Sequence, residues 1–197
     1  MTEPGDWVGY YDEQGQREPR DLLLQALDLF AGAGRGGRAV DIGCGQGFET
    51  GELLRRGWDV VAIDGQDEAI RRLRRRIPDE QASRLETVVS RMEDVEIPPA
   101  DLVHASYSLP FCTPAAFPEV WGRIRGSLRP GGRFVGELFG DRDSWAATER
   151  EMTFFEVDRA RALFDGMEIE SFVEEESEDE GWDGLKHWHV FHAIARR

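Results

Sequence analysis

The chain has 197 residues, enough for one well-buried core, and is expected to form a single domain over residues 1–197. Apolar residues make up 40% and charged residues 32%, and no apolar run reaches the roughly 20 residues that cross a bilayer, so no membrane partner is expected. The 24 Lys and Arg stand against 39 Asp and Glu, a formal net charge of −15 that repels a phosphate backbone and argues against nucleic acid as a partner.

The opening Met1-Thr2-Glu3-Pro4-Gly5-Asp6 has neither the basic flank nor the apolar stretch of a secretory signal, which points to a cytoplasmic protein. Residues 1–20 hold the aromatic group Trp7-Val8-Gly9-Tyr10-Tyr11 in a polar setting. That segment reads either as a lid over a bound ligand or as a packed N-terminal helix. Arg20 correspondingly pairs with a ligand carboxylate or sits in a surface ion pair. Asp21 to Ala31 carries leucines at helical spacing behind an Asp suited to the N-cap, and Gly32 to Gly37 breaks it. Arg38 to Ile42 reads as a short buried strand and Phe48 to Arg56 as the helix after its turn.

Trp58 to Ile63 is a second strand ending at Asp64, and Glu68 to Ile77 a helix stopped by Pro78. Its basic run, Arg71 to Arg76, is a solvated helix face. Strands are expected at Leu85–Val89 and Asp101–Ser106, a helix at Pro118–Leu128, and a fifth strand at Arg133–Phe139. Val157 to Phe164 looks helical and Met167 to Val173 strand-like. The acidic run Glu174 to Glu180 is a solvated loop or a strand extension, and Leu185 to Ala195 is the last strand. Strands and helices in alternation indicate an α/β fold with a mainly parallel sheet.

The richest local pattern is Gly43-Cys44-Gly45-Gln46-Gly47, a turn between an apolar strand and a helix. Glycines there let a ligand approach the backbone, and the following helix N-terminus offers unpaired N–H groups. A dinucleotide fingerprint would place its third glycine at position 48, which is Phe48, so an NAD-dependent oxidoreductase is disfavoured. Asp64, at the end of the second strand, can accept two hydrogen bonds from a ribose diol or serve as a turn aspartate before Gly65. Cys44 and Cys112 lack metal-ligand spacing, and no metal site is expected.

Val40-Asp41-Ile42-Gly43-Cys44-Gly45-Gln46-Gly47, Asp64, and Leu128-Arg129-Pro130-Gly131-Gly132 together resemble the motifs of the class I S-adenosylmethionine-dependent methyltransferases over roughly residues 20–140. Residues 138–145 and 186–192 resemble small bacterial members loosely grouped with the tellurite-resistance type. The resemblance implies a Rossmann-like three-layer sandwich, with a seven-stranded, mostly parallel sheet whose last strand is antiparallel. It implies S-adenosyl-L-methionine as cofactor, with Gly43, Cys44, Gly45 and Gly47 along its methionine and ribose portion and Asp64 and Gly65 at the ribose. Gln66 falls beside the adenine, and Asp41 either organises the turn or reaches the amino group through water; Arg20 meets the cofactor carboxylate only on the lid reading of the N-terminal segment. After the third strand this chain has Ser90-Arg91-Met92-Glu93, with Arg91 where the family often has an acidic residue. Met92 and Glu93 are therefore the adenine candidates.

Methyl transfer to a small-molecule acceptor is an in-line displacement that asks chiefly for alignment and exclusion of water. A general base enters only if the acceptor must first lose a proton. Tyr107, in the loop after the fourth strand, is a candidate for the methionine portion, the acceptor or the core. His187 and His189 share one strand face, opposite His192, and are candidates for a base or for packed residues. Asp143 and Trp145 lie in the segment 140–185, where substrate-side insertions are expected. A non-catalytic cofactor-binding module with the same fold is the alternative reading.

Overall fold

The computed structural model describes residues 7–30, 36–148, 151–181 and 184–197. Residues 1–6 and most of the glycine break at 32–37 lie outside the described residues. The strands are β1 (Arg38–Ile42), β2 (Asp59–Asp64), β3 (Leu85–Val89), β4 (Ala100–Ala105), β5 (Leu128–Gly140), β6 (Phe154–Phe155), β7 (Glu168–Gly181) and β8 (Gly184–Arg196). The helices are α1 (Trp7–Gln14), α2 (Asp21–Asp28), α3 (Phe48–Arg55), α4 (Asp67–Arg76), α5 (Asp79–Ala82), α6 (Phe117–Ser127) and α7 (Val157–Ala162).

Seven strands run across one sheet in the order β3-β2-β1-β4-β5-β8-β7, and the two-residue β6 pairs with β5 off that path. β3, β2, β1, β4 and β5 are parallel, while β8 is antiparallel to both β5 and β7. Central parallel strands bury both faces, which is why they read as unbroken apolar runs. Val40 and Ile42 of β1 face the side covered by Val120, Trp121 and Ile124 of α6. Ala39 of β1 faces the other side, with Leu23 and Leu27 of α2, Leu53 and Leu54 of α3, and Ile70 and Leu73 of α4. Helices on both faces make the three layers. Strand order reverses between β1 and β4, and ligands of open α/β sheets bind at the carboxyl ends beside such a switch.

Two stretches differ from the sequence reading. β5 begins at Leu128 rather than Arg133, because Leu128 already pairs with Ala100 before a register shift in β4. The Arg129-Pro130-Gly131-Gly132 turn is thus an irregularity within the strand. The N–H of Gly131, at φ +81°, donates to Arg197 O. The acidic run takes its strand option, with β7 paired to β8 as far as Gly181 and Gly184. Its carboxylates are partly offset there, since Glu174 and Glu176 accept from Arg142 at 2.6 and 2.7 Å.

Candidate functional site

A cleft of about 1180 Å3 opens at the carboxyl ends of β1, β2 and β4 and is crossed by residues of α1. The glycine turn forms part of its floor. Gly43 and Gly45 line it, whereas Gly47 does not and instead caps α3 at φ +82°. A side chain at Gly47 would meet Leu73 Cγ at 2.6 Å, and one at Gly43 would overlap Ser108. At Gly45 the nearest atom would be Tyr11 Cε1 at 3.8 Å. Gly43 and Gly47 are small because protein packs against them; Gly45 is small toward the cleft.

Asp64 at the end of β2 accepts from Gly45 N–H at 2.9 Å and from Gln66 N–H at 2.8 Å, one bond to each carboxylate oxygen. Each oxygen keeps a further lone-pair site. Burial pushes this carboxyl above the ordinary range, opposed by those two N–H groups. Gly65 and Gln66 continue the wall. Cys44 is buried in the turn, and burial drives its thiol pKa up, so it is a packing residue rather than a nucleophile.

Beneath the turn, Asp41 belongs to a polar group whose other members, Thr50, His104 and Glu49, the sequence reading did not single out. Asp41 accepts from Thr50 Oγ at 2.6 Å, and its other oxygen lies 2.9 Å from His104 Nδ1 on β4. Asp41 and His104 also line the cleft, joined by Glu49, which Arg17 grips through both guanidinium NH groups at 2.6 and 2.9 Å. Burial alone would raise the Glu49 carboxyl; the Arg17 fork outweighs it and holds the pKa below the usual value. A lone histidine within Leu102-Val103-His104-Ala105 was the available signal, since a buried polar side chain needs a partner.

Tyr107 follows β4 with φ 50°, the only positive φ outside glycine among the described residues. Its N–H donates to Glu137 at 3.2 Å, and the Arg20 guanidinium stacks on its ring at 4.3 Å. Burial, with Glu137 nearby, pushes the phenol up to about 12, so it keeps its proton at neutral pH. Ser106 Oγ, beside it in the cleft wall, is buried without a hydrogen-bond partner among the described residues. At the other end Met92 and Glu93 line the cleft, as does Arg91. Arg91 takes the Glu93 carboxylate at 3.0 Å, and Arg123 of α6 pins the Met92 and Glu93 carbonyls at 3.2 and 2.6 Å.

His187 and His189 are not brought to the cleft. Strand alternation puts Trp188 and Val190 of β8 on the cleft face and these two histidines on the other. His189 is fully buried, 3.1 Å from Glu174, and His187 lies 3.0 Å from Glu176. Glu174, Glu176 and His189 converge in a way that suits a cation. Arg142 already supplies one, at 2.6, 2.7 and 3.1 Å from them. Trp145 lines the cleft, whereas Asp143 is buried beneath it, bonded to Lys186 and to the Trp145 and His189 N–H groups. Of α1, Trp7, Tyr10 and Tyr11 line the cleft, and Gln46 Nε2 ties the helix down by donating to Tyr11 O at 2.8 Å.

Residues 39–132 match the family model described as a methyltransferase domain. Over 98 residues the chain is 40% identical to the magnesium-protoporphyrin O-methyltransferase of Rhodobacter capsulatus, covering 49% of this chain and 42% of that protein. Over 154 residues it is 34% identical to an uncharacterized methyltransferase of Mycobacterium tuberculosis, covering 75% of this chain and 56% of that one. The chain thus spans about half the length of these curated relatives. The crystal structure of TehB from Haemophilus influenzae superposes with a TM-score of 0.79 at 16% identity, covering 98% of this chain and 67% of that chain, a likeness of fold.

Proposed function

We propose that the chain is a class I S-adenosylmethionine-dependent methyltransferase, a reading supported by the match of residues 39–132 to a methyltransferase domain, and that it transfers a methyl group to a small-molecule acceptor held in the cleft. The observation that carries this reading is the pairing of Asp64 with the one turn glycine that is small toward the cleft. Gly45 lets a ligand lie on the backbone, while the carboxylate held beside it keeps lone pairs for a ribose diol. Buried Ser106 Oγ offers a further unfilled bond, and the Arg20 guanidinium, held over the Tyr107 ring, offers a fork for a carboxylate. These groups fit S-adenosylmethionine.

Asp64 and Gly65 would hold its ribose, Gly43 and Gly45 the adjoining chain, Gln66 and Met92 the adenine, and Arg20 with Ser106 the amino-acid end. When bound, the cofactor supplies a methyl group already activated on a sulfonium. The residues of the chain then orient the acceptor and keep water out, the role we assign to Tyr107, Phe111 and the aromatic side of α1 acting as a lid. Tyr107 holds its phenol proton and is suited to donate a hydrogen bond to the acceptor. Asp41 is taken up by Thr50 and His104 and serves to hold the turn.

Calorimetry with S-adenosylhomocysteine tests the reading. Micromolar or tighter binding is expected, and no binding at millimolar ligand to folded protein refutes it. Arg20→Ala should weaken that ligand by about 1.5–3 kcal/mol, the range for a charge-assisted hydrogen bond. It should leave 5′-methylthioadenosine, which lacks the carboxylate, unaffected.

A further inference from the structure

One buried carboxylate on the cleft side of the sheet does not itself reach the cleft. Glu137 of β5 is 2% exposed and stands two residues before Phe139, on the same face of the strand. Phe139 lines the cleft, whereas Glu137 lies behind Tyr107, whose N–H donates to its Oε2 at 3.2 Å. A buried charge is costly unless it is paired. His192, the register partner of Glu137 on β8, brings Nδ1 to 3.6 Å from Oε1, and Glu175 of β7 lies 3.2 Å from His192 Nε2. Burial would lower the His192 pKa, but the two carboxylates carry it above 6.5. A proton held there offsets the charge of Glu137 and leaves Oε2 to the Tyr107 N–H.

Tyr107 requires such a partner. Its φ of 50° is a conformation that bulky residues rarely adopt, and one that persists only where the surroundings fix it. The ring meets Phe139, Trp188 and His192 edge to face, at 6.0, 6.2 and 6.5 Å between centres, and with Phe139 and Trp188 forms an aromatic wall of the cleft. The bond to Glu137 fixes the backbone. Over the face of the ring lies the Arg20 guanidinium, 4.3 Å from its centre, where the π electrons attract a cation. The main chain of Arg20 is tied elsewhere, its N–H donating to Glu49 Oε1 at 3.3 Å. Where the guanidinium points therefore follows Tyr107.

Resting on the methyltransferase reading, with Arg20 as the carboxylate partner within it, we propose that Glu137 is a positioning residue for the amino-acid end of the cofactor. It holds Tyr107 in the left-handed turn, and the ring in turn sets the Arg20 guanidinium toward the cofactor carboxylate. Glu137 touches no ligand. What Tyr107 takes from it is an acceptor oxygen, which a glutamine side chain also supplies.

The test titrates S-adenosylhomocysteine and 5′-methylthioadenosine, which lacks the amino-acid end, into the full chain by calorimetry. Glu137→Leu should weaken S-adenosylhomocysteine by roughly tenfold or more, about 1.4 kcal/mol, and leave 5′-methylthioadenosine within about twofold. Glu137→Gln should stay within about threefold of the unsubstituted chain for both ligands. Glycine adopts a positive φ freely, so in a Tyr107→Gly background Glu137→Leu should change S-adenosylhomocysteine affinity by less than about twofold. Equal weakening of both ligands marks a merely structural role and overturns the proposal. So does Glu137→Leu without effect, Glu137→Gln no better than Glu137→Leu, or a tenfold loss that persists in the Tyr107→Gly background. Where Glu137→Leu alone does not fold, folding of the Glu137→Leu/Tyr107→Gly variant supports the proposal, and failure of that variant as well overturns it. Absence of S-adenosylhomocysteine binding to the unsubstituted chain overturns the methyltransferase reading itself; the outcomes above, with that binding intact, bear on Glu137 alone.

Discussion

His104 on β4 and Asp41 on β1 face each other at 2.9 Å, Nδ1 to Oδ1, and are 2% and 1% exposed. They are register partners across the β1–β4 switch, so the pair links the two strands whose carboxyl ends frame the cleft. Burial alone would lower the His104 pKa, but the hydrogen bond and charge of Asp41, with Glu49 and Glu137, carry it above its ordinary value of 6.5. A histidine raised on folding adds stability that is fully present below its unfolded pKa and lost as pH rises through the folded one. His104→Ala leaves Asp41 without its ion-pair partner and should cost about 3–5 kcal/mol where the pair is charged. Urea denaturation of both proteins from acid to alkaline pH measures this. The difference should be largest below pH 6.5 and narrow above it, and a constant difference would mean the pair is not charged.

Asp64 makes a pH prediction of opposite sense for the ligand. Burial raises its carboxyl above the ordinary 3.8, and a ribose diol donates to the charged form only when the proton is off. Affinity for S-adenosylhomocysteine should therefore fall on acidification sooner than an ordinary carboxylate would allow. Asp64→Asn should bind about 1.5–3 kcal/mol more weakly at neutral pH, with this acid dependence removed. Calorimetric titration of both proteins at several pH values checks it, and parallel pH profiles would take Asp64 out of the site.

The parts of the site that were legible in the sequence are those encoded over a short span. Gly43 to Gly47 sits between an apolar strand and a helix, and the place of Asp64 follows from one βαβ unit. His104 and Asp41 are 63 residues apart, and only the pairing of β1 with β4 joins them. For His187 and His189, alternation gives a common face but not which face meets the cleft; β5 and β7 on either side of β8 decide that. The acidic stretch Glu174 to Glu180 reads as solvated by composition. It is a strand because β8 supplies a long partner and Arg142 supplies the countercharge.

The three glycines of the turn should separate by experiment. Gly47→Ala drives a methyl into Leu73, and Gly43→Ala drives one into Ser108, each on top of roughly 1–2 kcal/mol for an L-residue in the left-handed region. Gly45→Ala carries the conformational cost alone, since its nearest neighbour would be Tyr11 at van der Waals distance. Thermal melts should rank Gly45→Ala as the mildest of the three. Calorimetry should show it losing S-adenosylhomocysteine affinity out of proportion to its stability. If all three lose stability and affinity together, Gly45 has no separate role toward the ligand.

Behind the aromatic wall, Lys186 and Asp143 form a buried ion pair, and Asp143 also accepts from the Trp145 N–H at 2.9 Å and the His189 N–H at 3.3 Å. The two ends are not equivalent. Lys186→Met leaves a carboxylate still holding two N–H groups, with an apolar chain of similar length among Phe139, Trp145 and Trp188. Asp143→Asn takes an ion-pair partner from an ammonium on a residue that is 2% exposed, at a cost of up to about 3–5 kcal/mol. Replacing both members of a buried pair by neutral groups is often close to neutral. Asp143→Asn should therefore be the more damaging single change, and adding Lys186→Met to it should recover most of the loss in urea denaturation. Where Asp143→Asn alone does not fold, recovery of folding by the double variant demonstrates the same rescue. A double variant less stable than Asp143→Asn would show that Lys186 contributes through its aromatic contacts rather than through its charge.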